Sequence, residues 1–171
     1  MNGFPRILVA GIGNVFHGDD AFGVAVVQKL RGVDLGPNVE VRDFGTRGFD
    51  LALALNDRLD TVILVDAVSR GGAAGSLFLI EPDVDRLDEW LSEASSVAHG
   101  LHPAAALQLA KRMGARLPRL LLVGCEPANV ELAETMMALT EPVRAALDVA
   151  VEMIREQCAA RQAAAGALCG V

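Results

Sequence analysis

The sequence has no tyrosine, and aromatic residues make up only 4% of its 171 residues. Apolar residues nevertheless account for 52% and charged residues for 22%, while proline occurs only seven times. This composition is typical of a globular chain and excludes a disordered or collagen-like one. Because aromatic side chains are scarce, the core must consist mainly of leucine, valine, isoleucine and alanine. The length predicts one domain of ordinary size.

Cysteine is scarce as well, and Cys125, Cys158 and Cys169 stand far apart without a CxxC pair. The sequence therefore predicts neither a disulfide framework nor a thiolate zinc site. A chain of this kind is expected in the reducing cytoplasm. The first six residues lack the charged and long apolar regions of a signal peptide, so we expect none.

Positive charge and long apolar runs are also limited. Fifteen basic residues stand against 22 acidic ones, which gives a net charge of −7. Such a chain is a poor candidate for binding the phosphate backbone of nucleic acids. No apolar run approaches the roughly 20 residues of a membrane span. We therefore expect neither a nucleic acid nor a membrane as partner, and we expect a monomer.

Short aliphatic runs predict the strands. Residues 6–10, 61–66 and 120–124 are almost entirely aliphatic, as in strands that a parallel sheet buries on both faces. Residues 39–43 alternate between apolar and polar, which favours a strand near the sheet edge. Residues 76–80 closely follow a Gly-Gly turn, and so short a connection predicts a strand antiparallel to its neighbour.

Helical spacing of apolar residues separates these strands. It predicts helices over 20–31, 49–55, 102–112 and 141 to about 161. The expected fold is a single three-layer α/β/α sandwich with about five strands, mostly parallel and one antiparallel. Residues 1–160 would form this domain. Residues 161–171, which are rich in alanine and glycine, are predicted to be a frayed tail.

Polar residues gather where the predicted strands end, and functional groups of open α/β sheets lie at the carboxyl ends of strands. Asp20 also suits a helix N-cap, and Asp66 a turn. Two acids and an imidazole at one edge, however, suit a divalent metal. The candidates at this edge are Asn14, His17, Asp19, Asp20, Asp43, Thr46, Arg47, Asp66, His99, His102, Cys125 and Glu126.

The segment Gly11-Ile12-Gly13-Asn14 offers another interpretation, a dinucleotide-binding loop. The third glycine of a G-x-G-x-x-G pattern would fall at Phe16, and the sequence has no P-loop lysine. Asp43 stands where a ribose-binding acid would be expected. Without the full set of glycines, a nucleotide-binding α/β enzyme remains the weaker alternative.

Five ordered blocks over about residues 5–158 form a pattern: residues 7–14 with 18–23, Asp43-Phe44-Gly45-Thr46, Val65-Asp66-Ala67, His99-Gly100-Leu101, and Val123-Gly124-Cys125-Glu126-Pro127. This pattern resembles the nickel–iron hydrogenase maturation proteases. The opening is similar to that family's strand, G-I-G-N loop and G-D-D or G-D-E segment. Phe44 replaces the usual second-position glycine of a D-G-G-T turn.

The resemblance implies an endopeptidase that removes a C-terminal extension from the hydrogenase large-subunit precursor after nickel insertion. Nickel would arrive already held by the precursor, and Asp20, Asp66 and His99 would be its further ligands and the catalytic residues. His102 lies one helical turn after His99, but spacing to Gly114 favours His99. Candidate residues for contact with the substrate are Gly13, Asn14, His17, Asp43 and Thr46.

No arrangement for a different hydrolytic mechanism is evident. The sequence shows neither a Ser-His-Asp or Cys-His set nor an H-E-x-x-H zinc helix. Cys125 follows a strand instead of opening a helix, so a lowered thiol pKa is not indicated. Since a non-catalytic nickel-binding chaperone would use the same three ligands, that alternative stays open.

Overall fold

Five strands form one mixed sheet in the computed structural model, which describes residues 4–83, 103–128 and 138–168. The spatial order is β2-β1-β3-β5-β4. All neighbouring pairs are parallel except β4 with β5. The strands are β1 (Ile7–Ile12), β2 (Val39–Gly45), β3 (Thr61–Ala67), β4 (Leu77–Ile80) and β5 (Arg119–Cys125).

The expected antiparallel strand is confirmed, as is the edge position of β2. The neighbour of β4 is β5, although β4 follows β3 along the chain. Three hydrogen bonds join the connection after β3 to the end of β5. Val68 donates to the carbonyl of Cys125, Gly75 donates to the carbonyl of Glu126, and Glu126 donates to the carbonyl of Ser76. The β3–β4 connection therefore pairs with the end of β5, which lies between the two strands.

Four described helices cover the two faces of the sheet: α1 (Phe22–Leu30), α2 (Gly48–Ala54), α3 (Pro103–Arg112) and α4 (Glu141–Leu168). α1 and α4 pack on one face, against a cluster that includes Val9, Ile63 and Leu121. α2 and α3 pack on the other, against residues such as Leu8, Val62 and Leu120. Because successive strand residues point to opposite faces, the central strands are buried on both sides. The predicted three-layer sandwich is confirmed.

α4 differs from its expected end. The helix continues to Leu168, whereas the sequence predicted an end near residue 161 and fraying beyond it. Alanine is the strongest helix former, so the alanine-rich segment extends the helix. Gln162 also donates hydrogen bonds to the carbonyls of Leu35 (3.1 Å) and Pro37 (3.0 Å). Among the helices of the described part of the chain, none has the length and apolar character to cross a membrane.

Candidate active site

The loop between β1 and α1 carries the first candidate acid. β1 ends at Ile12, and Gly13 follows with φ +134°, a backbone conformation that side chains disfavour. A Cβ at Gly13 would lie 1.7 Å from the carbonyl oxygen of Asp20. The N–H of Gly13 donates to the carbonyl of Gly45 (3.1 Å), which joins this loop to the end of β2. Glycine is therefore required at Gly13 by both conformation and space.

Asp20 lies in a 3-10 turn, Gly18–Ala21, that precedes α1. One carboxylate oxygen of Asp20 accepts a hydrogen bond from the N–H of Asn14 (2.9 Å). The N-cap residue of α1 is Ala21, and no side chain caps the helix there. The N-cap interpretation of Asp20 is therefore wrong. The exposed carboxylate is held by the loop and remains open to a ligand.

Asp66 is the second candidate acid and lies within β3, so it is not a turn former. Only 5% of it is exposed. Burial and, next, the charge of Asp20 raise the pKa of Asp66 to about 8, while a backbone hydrogen bond from Ala67 acts in the opposite direction. Within the described chain no lysine or arginine forms an ion pair with either acid.

Close packing of α1 brings the two acids together. A Cβ at Gly23 would lie 2.0 Å from the carbonyl oxygen of Val65 and 2.3 Å from that of Ile12. The first turn of α1 is thus packed directly on the ends of β3 and β1, and the turn that carries Asp20 contacts β3. The predicted meeting of Asp20 and Asp66 at the carboxyl edge of the sheet is supported by this geometry.

The histidine ligand cannot be placed in the same way, because His99 and His102 lie outside the described residues. In the described ranges no three side chains from histidine, cysteine, aspartate and glutamate form a group suited to a metal ion. His99 as a ligand therefore stays a prediction from the sequence.

Asp19, next to Asp20, has a structural role that the sequence did not reveal. Its buried carboxylate accepts hydrogen bonds from the N–H of Ala128 (2.8 Å) and of Thr140 (2.7 Å), and from the hydroxyl of Thr140 (2.9 Å). It thereby connects the β1–α1 loop to the chain after β5 and to the start of α4. The two adjacent acids thus face different surroundings.

Glu126 is likewise structural. Its buried carboxylate accepts hydrogen bonds from the hydroxyl of Ser69 (3.1 Å) and from the N–H groups of Arg70 (2.8 Å) and Gly71 (3.2 Å). Burial by itself would raise the pKa of Glu126, but these bonds and one from Gly72 outweigh it, and the pKa is lowered. Glu126 therefore fixes the β3–β4 loop.

Cys125 is not an activated nucleophile. It is fully buried, and burial together with the charges of Asp19 and Glu126 raises the pKa of its thiol to about 12. A reactive cysteine needs a lowered pKa and access to substrate. The expectation from the sequence is confirmed.

The predicted substrate-contacting residues follow β1 and β2 along the same edge. Asn14 is half-buried and shapes its own loop, because its side-chain oxygen accepts from the N–H of Phe16 (3.0 Å). Asp43 is half-buried, and His17 and Thr46 are exposed. Their contact with substrate, like that of Gly13, stays a prediction. All five lie in β2 or in the loops that follow β1 and β2.

Phe44 departs from the motif, and the packing of its side chain accounts for this residue. Its side chain is buried in the cluster between the sheet, α2 and α3. The aromatic ring fills the core at a position where the resembling family usually has glycine. The neighbouring Gly45 has a φ of +53°, a conformation that favours glycine.

A nucleotide phosphate fits this edge poorly. Phosphates bind at helix N-termini because N–H groups and the helix dipole favour negative charge there. The turn that leads into α1 carries Asp19 and Asp20, and the carboxylate of Asp20 already accepts the hydrogen bond from the N–H of Asn14. The arrangement disfavours the nucleotide-binding alternative.

Comparisons with known proteins identify the family. The family model described as hydrogenase maturation protease matches residues 24–157. The hydrogenase expression/formation protein HupD of Rhizobium leguminosarum bv. viciae is 34% identical over 149 residues, which cover 86% of this chain and 71% of that protein. The hydrogenase 2 maturation protease of Escherichia coli is 33% identical over 157 residues, which cover 88% of this chain and 92% of that one.

Solved structures show the same relationship. The hydrogenase maturating endopeptidase HybD from E. coli is 31% identical and superposes with a TM-score of 0.73, covering 87% of this chain and 89% of that one. The hydrogenase 2 maturation peptidase from Thaumarchaeota archaeon SCGC_AB-539-E09 is 37% identical with a TM-score of 0.66, covering 89% and 97%. These relatives are peptidases, which favours the enzyme over the nickel chaperone. The chain belongs to the hydrogenase maturation protease family and is a peptide hydrolase.

Proposed function

We propose that this protease removes the C-terminal extension of a nickel–iron hydrogenase large-subunit precursor after nickel has been inserted. Membership of the maturation protease family supports a peptide substrate within hydrogenase maturation. The choice of precursor and of cleavage site comes from the resemblance of the sequence motifs. Nickel belongs to the substrate here, and its recognition is the finer part of the proposal.

The observation that carries the proposal is the pair of carboxylates at the carboxyl edge of the sheet. Asp20 is exposed on the loop after β1, and Asp66 is buried at the end of β3 beside it. Two neighbouring carboxylates repel each other, and a cation between them would offset that repulsion. Carboxylate oxygens with one imidazole, which we predict to be His99, suit a divalent metal of borderline hardness.

Binding to nickel already held by the precursor would fix the adjacent peptide bond at this edge. Such fixation supplies proximity and orientation, which can account for much of the rate enhancement. A carboxylate at the site would act as the general base that takes a proton from the attacking water. A precursor without nickel lacks the ligand for Asp20 and Asp66, so cleavage would wait for metal insertion.

The test is cleavage of the nickel-loaded precursor by the purified protein, followed by intact mass. The wild-type protein should shorten this precursor and leave the nickel-free precursor unchanged. Asp20→Asn, Asp66→Asn and His99→Ala should each lower the cleavage rate about 100-fold or more. Asp148→Asn, an exposed acid on α4, is the matched control and should cleave normally.

Two results would contradict the proposal. Full processing by Asp66→Asn would remove the role of the carboxylate pair. Equal cleavage of nickel-free and nickel-loaded precursor would remove the metal as the recognition element.

A further inference from the structure

Large apolar side chains stand exposed in two segments that follow the carboxyl ends of β1 and β2. Val15 and Phe16, in the loop after β1, are 44% and 63% exposed. Phe49 and Leu53, on α2, are 57% and 45% exposed. We call these four residues the apolar rim. Clusters of exposed apolar side chains on a folded protein often mark a binding surface.

The part of the apolar rim after β1 is held by hydrogen bonds in a defined loop. The N–H of Phe16 donates to the side chain of Asn14 (3.0 Å), and the N–H of His17 donates to the carbonyl of Asn14 (3.0 Å). The N–H of Asp20 in turn donates to the carbonyl of His17 (3.0 Å). These bonds define the backbone of the loop at Phe16. A partner would not have to order the backbone of this loop.

The same hydrogen bonds connect the apolar rim to the acids. Asn14, which accepts from Phe16, donates its own N–H to the carboxylate of Asp20. The bond from Gly13 to Gly45 joins the loops after β1 and β2, and α2 begins at Gly48. Val15, Phe16 and Phe49 therefore follow the carboxyl ends of adjacent strands. A polypeptide whose scissile bond lies at Asp20 and Asp66 would pass close to Phe16.

We propose that the apolar rim binds an apolar segment of the precursor next to the scissile bond, with Phe16 as the main specificity-determining residue. The inference rests on the proposed function for the identity of the precursor. An apolar segment is the fitting occupant of the rim. Charged groups of a bound segment would lose their hydration against these apolar side chains without gaining an ionic partner. A buried aromatic side chain commonly contributes more than its neighbours to such a contact.

The experiment measures steady-state cleavage of the nickel-loaded precursor by Phe16→Ser. We expect KM to rise about tenfold or more while kcat changes little, because Phe16 would contact the segment beside the scissile bond and not the reacting atoms. Phe16→Leu should restore most of the affinity. The matched control is Phe4→Ser, which removes an aromatic side chain that is 46% exposed. Phe4 precedes β1 and so lies at the amino end of that strand, away from Asp20 and Asp66.

A binding measurement separates recognition from catalysis. In an Asp66→Asn background, Phe16→Ser should weaken binding of the nickel-loaded precursor about tenfold or more, and Phe4→Ser should not. If wild-type protein cleaves the precursor but Phe16→Ser has the same KM and affinity, the inference is overturned and the proposed function stands. If wild-type protein does not cleave it, the proposed function fails, and this inference fails with it.

Discussion

Asp66 is a carboxyl group inside the protein with no cation paired to it among the described residues. A fold that needed only stability would place an apolar or amide side chain there, because burial of an unpaired charge is costly. The cost is understandable if the group serves a ligand that arrives with the substrate. Strongly shifted carboxyl groups cluster at functional sites for this reason.

Substitution of Asp66 should therefore change stability with pH in a defined direction. The pKa of Asp66 rises from 3.8 to about 8 on folding. Between pH 4 and pH 8 the unfolded chain releases this proton and the folded chain keeps it. The free energy of unfolding then falls by up to about 1.4 kcal/mol per pH unit from this group. The side chain of Asp66→Asn cannot titrate. The free energy of unfolding of this variant, relative to that of the wild type, should therefore increase as pH rises.

Urea denaturation of both proteins at pH 5 and pH 7.5 checks this prediction. Asp148→Asn provides the control, since Asp148 is an exposed acid in a surface ion pair with Lys29. A stability difference between Asp66→Asn and wild type that stays constant across this range would contradict the raised pKa.

Glu126 should behave in the opposite way. Its pKa is lowered in the folded state by hydrogen bonds from Ser69, Arg70, Gly71 and Gly72. A lowered pKa contributes stability above the unfolded value near 4.5, and that contribution is lost as pH falls through the folded pKa. Glu126→Gln should lower the free energy of unfolding by about 1–3 kcal/mol at pH 7, because an amide leaves some of these donors unpaired.

The corresponding measurement is thermal or urea unfolding at pH 7 and pH 3.5. The deficit of Glu126→Gln should shrink at the lower pH. Glu152→Gln, which removes an exposed ion pair with Arg155, should leave stability nearly unchanged. An equal deficit for Glu126→Gln at both pH values would show that the charge is not what holds the loop.

At the scale of elements, the β1–α1 loop depends on Gly13. Gly13→Ala would add a Cβ 1.7 Å from the carbonyl oxygen of Asp20, at a φ of +134°. The loop must move, and Asp20 moves with it. We expect a loss of stability above about 1 kcal/mol and strongly reduced precursor cleavage.

Gly32→Ala is the matched control for that loop. Gly32 also has a positive φ, +87°, but an added Cβ meets nothing within 4 Å. It should lose about 1 kcal/mol from backbone strain and keep its cleavage activity. Unchanged cleavage by Gly13→Ala would mean that the loop tolerates displacement and that Asp20 does not need its present position.

Element identity was predictable where a local pattern carried it. Aliphatic runs and helical spacing gave β1, β3, β5 and the described helices, and the position of each strand end then indicated Asp20 and Asp66. The structural roles of Asp19 and Glu126 were not predictable. Asp19 bonds Ala128 at a separation of 109 residues, and Glu126 bonds Ser69 at 57. No local pattern encodes which distant donors a buried acid will meet.

For the whole molecule, α4 is the element whose extent was misjudged. The sequence predicted fraying from residue 161, but the helix reaches Leu168. The deciding contact is again distant, because Gln162 bonds Leu35 and Pro37 at the α1–β2 connection. Lys29 of α1 also bonds Asp148 of α4 (2.5 Å). These contacts hold α4 against α1 and the α1–β2 connection.

Truncation distinguishes a structural from a dispensable last segment. A chain that ends after Arg161 loses both hydrogen bonds of Gln162, whereas one that ends after Ala164 keeps them. The shorter chain should lose about 1–3 kcal/mol of unfolding free energy relative to the longer one. Both should cleave the precursor at the same kcat, since Leu35 and Pro37 precede β2 and lie toward the edge of the sheet opposite Asp20 and Asp66. Equal urea midpoints for the two chains would show that residues 162–164, with the two hydrogen bonds of Gln162, contribute nothing to stability.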